Sequence, residues 1–173
     1  MDLARLDAYD KTMDFMDFDL SKAIKNTALS FESLAFEYGK AYEMNIAGGI
    51  LFHGNESSLK QLTTILLDNA FKYSEPKGNI NVSLKQHGEK RILTVKNSGN
   101  PIPKEEQKRI FERFYRSDTS RSRETGGYGL GLSIAASIVN NHKGYISVSS
   151  DELTGTCFTI TIPTASTNYR HNI

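Results

Sequence analysis

The sequence predicts an α+β domain, a sheet built largely from antiparallel strand pairs and covered by helices on one face. Three observations carry this expectation. Residues 56 to 73 place Leu59, Leu62, Ile65 and Leu66 at the three-and-four spacing of a helix with one buried face. Residues 79 to 97, NINVSLKQHGEKRILTVKN, alternate apolar and polar side chains on both sides of His87-Gly88, which reads as an antiparallel pair. GYISVSS and GTCFTITIP supply two further strands after another helix, and strand pairs mixed with helices are the α+β pattern.

The other elements follow in chain order. Leu3, Leu6, Tyr9 and Met13 have helical spacing but little to pack on, so residues 1 to about 14 read as a linker or the end of a truncated neighbour. FDLSKAI (18–24) is expected to form a short strand or lead-in segment, and TALSFESLAFEYG (27–39) a helix ending at Gly39. AYEMNIAGGILFHGN predicts two short strands around Gly48 and Gly49, a hairpin signal. Residues 98–127 are charged, Ser-rich and Arg-rich, with one short helix expected near Lys104 to Tyr115. Connections beyond about 12 to 15 residues are unusual inside a compact domain, so this stretch reads as a functional lid or flap. A helix after the glycine cluster is expected to run to about His142.

At 173 residues one domain with a sufficient core is expected. A formal net charge of +1 provides no global field to draw in nucleic acid or acidic membrane. The single cysteine, Cys157, excludes an internal disulfide framework and a Cys-based zinc site; it is expected as a buried strand thiol. No apolar run approaches the roughly 20 residues that span a bilayer, and MDLARLDAYD is too acidic for a secretory signal, so the chain as given is expected to be soluble.

Three places point to chemistry. RETGGYGLGLSIAASIV puts Gly126, Gly127, Gly129 and Gly131 at the start of an apolar helix, where bare backbone, orphan N–H groups and the helix dipole favour an anion such as phosphate. The P-loop pattern fails there, because Leu132 stands where its lysine must be, and G-x-G-x-x-G is not matched. A flexible hinge is the alternative reading. Asn69 falls on the apolar face of the 56–73 helix, where a costly amide needs a partner. That partner is either a neighbouring loop backbone or a hard cation such as Mg2+, with Lys72 and Tyr73 beside the same phosphates. Asn97 ends its strand on the core-facing side, and Gly99 lets a flat group approach the turn.

These motifs, in this order, resemble the catalytic ATP-binding domain of bacterial sensor histidine kinases, of the Bergerat (GHKL) ATPase superfamily, over about residues 17–163. LLDNAFKYS resembles the asparagine box, which implies Asn69 as Mg2+ ligand and Lys72 and Tyr73 near the phosphates of ATP. NSGNPIP resembles the first glycine box, implying nucleotide contacts at Asn97, Gly99 and Ile102. IFERFYR resembles the phenylalanine box with Phe111 and Phe114, and Arg116 follows as a phosphate contact. GGYGLGL resembles the second glycine box, implying contacts at Gly127, Tyr128, Gly129, Leu130, Gly131 and Leu132, and GTCFTI the third, with Thr156. The implied fold is an α/β sandwich with a mixed sheet under three helices, and Asn69, Lys72 and Arg116 would carry the catalysis.

The chain departs from the family's wording in three places. Asn97 stands where the family has an adenine-binding aspartate; exchanging a charge-assisted bond for a neutral one predicts a loss on the order of 1 kcal/mol, roughly five- to tenfold in affinity. Pro101 replaces a glycine, and Ile65 an asparagine four residues before Asn69. Arg113, Arg121 and Arg123 are either further phosphate contacts or solvated surface charges. None of His53, His87, His142 and His171 has the His-Glu or His-Asp helical context of a phosphoacceptor. The resemblance therefore implies residues 1–16 as the end of the dimerisation and phosphotransfer helices or a linker, residues 17–163 as the ATP-binding domain and residues 164–173 as a tail. It further implies an acceptor histidine on the chain's own dimerisation domain, a response regulator downstream, and a cytoplasmic domain of a membrane-bound homodimer. A degenerate nucleotide-binding module and an anti-sigma-type serine kinase on the same fold are the rival readings.

Overall fold

The computed structural model describes residues 14–115 and 129–164. In chain order they form β1 (Met16–Asp19), α1 (Leu20–Leu29), α2 (Glu32–Glu37), β2 (Ala41–Ile46), β3 (Leu51–Gly54), α3 (Glu56–Tyr73), β4 (Asn79–His87) and β5 (Lys90–Asn97). A single 3-10 turn (Arg109–Phe111), α4 (Gly131–Asn141), β6 (Tyr145–Asp151) and β7 (Gly155–Pro163) complete them. The main sheet has five strands in the order β2-β4-β5-β7-β6; β2 lies parallel to β4 and every other pair is antiparallel. β1 and β3 form a separate antiparallel ribbon. The three long helices α1, α3 and α4 bury their apolar stripes on one face of the sheet, which is the expected α+β, mixed-sheet architecture.

The core lies between those layers. Leu59, Leu62, Leu66 and Leu67 of α3 are fully buried together with Ile80, Val82 and Leu84 of β4, Val95, Ile160, and Ile138 and Val139 of α4. At about 1.5 to 3 kcal/mol for each fully buried aliphatic side chain, α3 is the main contributor to the packing. It starts cleanly because the Asn55 side chain accepts the Ser58 N–H at 2.8 Å, and it stops at Ser74, which is extended and precedes Glu75-Pro76.

Five local expectations are corrected. The 18–24 segment is a strand only as far as Asp19, whose carboxylate accepts the Lys22 N–H at 2.9 Å and so caps α1. The single helix expected over 27–39 is broken: α1 ends at Leu29, and Phe31 turns into the core 5.4 Å from Phe71 before α2 begins. The two strands flanking Gly48-Gly49 do not form a hairpin. Ser21 of α1 donates to Ala47 O at 2.5 Å and accepts the Ile50 N–H at 2.9 Å, pulling the connection onto α1 so that β2 joins β4 and β3 joins β1. Between Lys104 and Tyr115 there is one 3-10 turn rather than an α-helix: Pro103 O and Glu106 O each accept both a three-residue and a four-residue bond, from Glu106 and Gln107 N and from Arg109 and Ile110 N, and no continuous four-residue ladder follows. Cys157 is on β7 as expected but is only half-buried.

Of the expected surface or structural histidines, His142 ties the end of α4 to the start of α3. Its Nε2 accepts the Asn55 N–H at 3.1 Å and its Nδ1–H donates to Ile138 O at 2.8 Å, with Phe15 at a ring-centroid distance of 5.0 Å. Burial lowers its pKa from the ordinary 6.5, against a smaller upward pull from the Ile138 carbonyl. A proton on Nε2 would place a donor against the Asn55 N–H. The stabilising contribution of neutral His142 is therefore present above pH 6.5 and is lost as pH falls through the lowered folded value. Urea midpoints at pH 7.5 and 5.0 should show that loss, and the difference should shrink in His142→Gln.

Candidate functional site

The C-terminal half of α3 organises the site. Asn69 is half-buried at the border of the helix's apolar face, and its Nδ2 donates to Ile65 O at 2.8 Å. The amide nitrogen is thereby engaged by the helix itself, which directs Oδ1, a hard neutral donor, away from the helix's own carbonyls. One residue earlier, burial raises the Asp68 carboxyl above its ordinary range. One turn later Lys72 is exposed, its Nζ 5.2 Å from the centre of the Tyr73 ring, which is itself 52 % exposed.

The end of β5 packs directly on this helix. Gly99 has φ +138, and a Cβ there would overlap the Tyr73 carbonyl oxygen, so only glycine lets the Asn97–Gly99 turn sit against the end of α3. Asn97 is buried on the core side of β5 opposite Thr156 of β7. Its Nδ2 donates to Ser98 O at 2.9 Å; the opposite amide orientation would set two acceptors against each other, so Oδ1 is the atom left for a ligand. Gly155, left-handed at φ +75, is pressed on the Asn97 carbonyl and cannot carry a Cβ without overlap.

The third side is the start of α4. Among the described residues no side chain caps it and no acid lies in its first turn, so the N–H groups of Gly131, Leu132 and Ser133 stand at an end suited to an anion. A Cβ on Gly131 would lie 3.5 Å from Ile65 Cγ2, so this helix start stands one turn from Asn69. Ile65 fills that junction with an aliphatic contact. Phe114 N–H donates to Gly129 O at 3.2 Å, so residues 115 and 129 leave from and return to neighbouring points beside the site. Phe111 meets Phe158 edge-on at 6.2 Å.

Of the described candidates, Asn69, Lys72, Tyr73, Asn97, Gly99, Gly129, Leu130, Gly131, Leu132 and Thr156 lie at or next to the ends of α3, β5, β7 and α4, while Ile102 and Phe111 lie on the connection between β5 and α4, Phe111 in its 3-10 turn. Arg116, Gly127 and Tyr128, like Gly126, Arg121, Arg123 and His171, lie outside the described residues. Arg113 and Phe114 are described and exposed. Sequence reasoning missed Ser150 and Gln107. Ser150 is buried at the site end of β6 with the parity of Ile146 and Val148, but a serine in a strand is ordinary and gave no signal in the sequence.

Among the described residues no group of three or more His, Cys, Asp or Glu side chains could hold a metal alone. One amide oxygen beside an anion-ready helix start fits a cation that brings most of its ligands from phosphates and water, as Mg2+ does. The arrangement can therefore receive a flat group at the Asn97–Gly99 turn and anionic groups at α4.

Comparisons with known proteins agree with this geometry. Residues 54–166 match the family model described as histidine kinase-, DNA gyrase B-, and HSP90-like ATPase. The chain is 40% identical over 146 residues, 84% of its length and 37% of the relative's, to the sensor protein DltS of Streptococcus agalactiae. It is 34% identical over 171 residues, 98% of its length and 38% of the relative's, to the sensor histidine kinase RppB of Synechocystis sp.. It therefore spans well under half of these curated relatives. The catalytic domain of the histidine kinase ThkA superposes with a TM-score of 0.77 at 27% identity, covering 88% of this chain and 97% of that one. The chain belongs to the histidine kinase-, DNA gyrase B- and HSP90-like ATPase family, and within it to the ATP-binding domains of sensor histidine kinases.

Proposed function

We propose that this domain binds Mg2+-ATP and donates the γ-phosphoryl group to a histidine on a dimerisation domain of the same protein, within a two-component sensor kinase. The convergence of Asn69, the Asn97–Gly99 turn and the start of α4 on one side of the sheet carries this reading. Asn97 Oδ1 accepts from the adenine amino group and Gly99 lets the ring approach. The α4 N–H groups, Lys72 and Arg116 bind the phosphates, and positioning plus charge neutralisation is most of what phosphoryl transfer requires. Asn69 Oδ1 would hold Mg2+, which would neutralise charge on the phosphates.

Residues 1–16 are read as the end of the phosphotransfer helices or a linker, and residues 164–173 as a tail. A response regulator is the proposed downstream partner; the ThkA kinase has been solved in complex with its response regulator TrrA. No helix among the described residues is long and apolar enough to cross a membrane. The proposed setting is a cytoplasmic domain of a membrane-bound homodimer. Incubated with γ-labelled ATP, this chain should gain no acid-labile phosphate, and adding the dimerisation helices should produce it. Label on the isolated chain would contradict the assignment of the acceptor.

Asn97 favours one second reading, a domain that holds nucleotide without transferring phosphate. Asn97→Asp should tighten ATP binding about five- to tenfold. Autophosphorylation of the full-length protein with Asn97 intact would reject the non-transferring reading.

A further inference from the structure

Beside the proposed nucleotide site lies a partly buried cluster of hydrogen bonds in which two side chains outside the motifs named above, Ser150 and Gln107, hold Ile102 and Thr156. Ser150 Oγ accepts the Ile102 N–H at 2.9 Å and lies 2.6 Å from Thr156 Oγ1. Gln107 uses its Nε2 twice, donating to Ile102 O at 2.9 Å and to Ser150 O at 3.0 Å. Both backbone polar groups of Ile102 are therefore held by two side chains, and one of these also touches Thr156. Ser150 and Thr156 are 9% and 6% exposed, so water competes poorly for these bonds.

We propose that Ser150 and Gln107 are positioning residues that fix the purine end of the site and set its preference for adenine. The inference rests on the nucleotide reading above. Thr156 stands opposite Asn97 in the β5–β7 ladder, so its hydroxyl borders the Asn97 amide whose oxygen faces the ligand. A hydroxyl both donates and accepts, and a free one serves adenine and guanine alike, although the two purines present opposite patterns of amino, carbonyl and ring nitrogen groups. Ser150 removes that freedom. Whichever of the two hydroxyls donates, the 2.6 Å bond to Ser150 takes up one hydrogen-bonding position of Thr156 and fixes where its remaining ones face, while Ser150 itself is held by the Ile102 N–H. Gln107 keeps Ile102 on Ser150 and closes the Gly99–Ile102 turn over the same end of the sheet. These side chains act through Thr156 and Ile102.

The test is calorimetric titration of the whole chain with Mg2+-ATP and Mg2+-GTP, using the unchanged protein, Ser150→Ala, Ser150→Thr and Gln107→Leu, with a thermal melt of each. Ser150→Ala is expected to weaken ATP about five- to tenfold and to narrow the ATP-to-GTP ratio, and Ser150→Thr to restore the ratio. Gln107→Leu, in which Ser150 keeps its hydroxyl, should weaken ATP by a smaller factor and stands as the informative variant if Ser150→Ala does not fold. A folded Ser150→Ala or Gln107→Leu protein with both affinities within twofold of the parent would overturn the proposal, as would a lowered melting temperature with an unchanged ATP-to-GTP ratio. Failure of the unchanged protein to bind ATP would instead sink the nucleotide reading, and this inference with it.

Discussion

Asn69→Ala should abolish most Mg2+-dependent ATP binding while leaving the fold as stable as before or slightly more so. The two effects have opposite sign because the side chain does nothing for the helix that carries it. Its Nδ2 bonds back to Ile65 O four residues earlier, a contact that competes weakly with helix formation, and alanine is the better helix former by up to about 0.7 kcal/mol. The lost contact is a hard oxygen to a cation, comparable to a charge-assisted hydrogen bond of about 1.5 to 3 kcal/mol, which corresponds to a drop of about tenfold or more in affinity. Titration with ATP in Mg2+ and in EDTA measures it: the variant in Mg2+ should resemble the parent in EDTA. Unchanged binding with a stability loss above about 1 kcal/mol would instead favour the purely structural role for this amide.

Gly155→Ala is expected to be strongly destabilising. Alanine at φ +75 costs roughly 1 to 2 kcal/mol by itself. The new Cβ also meets the Asn97 carbonyl, which cannot retreat because Asn97 is held in the β5–β7 ladder opposite Thr156. Together these should exceed about 3 kcal/mol, at the upper end of what single substitutions do. Gly88→Ala is the control, since Gly88 has φ +57 with nothing within 4 Å of an added methyl, and should lose only the left-handed cost of about 1 to 2 kcal/mol. Chemical denaturation of both variants separates the two contributions, and equal midpoints would show that backbone overlap adds nothing.

The sequence was most legible where a period ran long without interruption. The 56–73 helix and the strand pair around His87-Gly88 coincide with α3, β4 and β5, because eighteen residues of one-sided apolar spacing and two alternating runs leave few other solutions. It was least legible where a side chain redirected the backbone. Nothing in the spacing of residues 41–54 announces that Ser21, more than twenty positions away, holds both Ala47 O and Ile50 N and so prevents the hairpin. Asp19 was readable as a helix cap, since Asp before an apolar-periodic run is a start signal, but the short strand before it masked that signal.

Much the same division holds for the site. Asn69, Asn97 and Gly99 stand out as residue types that fit poorly in their elements unless something else needs them there. Ser150 and Gln107 carry no such misfit, a serine in a strand and a glutamine in a turn being ordinary, so only their positions in the folded chain tie them to Ile102 and Thr156.

The most direct test follows backbone amide resonances during titration with a non-hydrolysable ATP analogue in the presence of Mg2+. The shifts should concentrate at Asn69, Asn97, Gly99, Gly131, Leu132 and Thr156, and removal of Mg2+ should reduce those at Asn69 first. Shifts concentrated at Glu43, Asn81 and Lys96, in a groove that shares only its Gly99 and Gly155 edge with the site, with Asn69, Asn97 and Gly131 unmoved, would contradict the account.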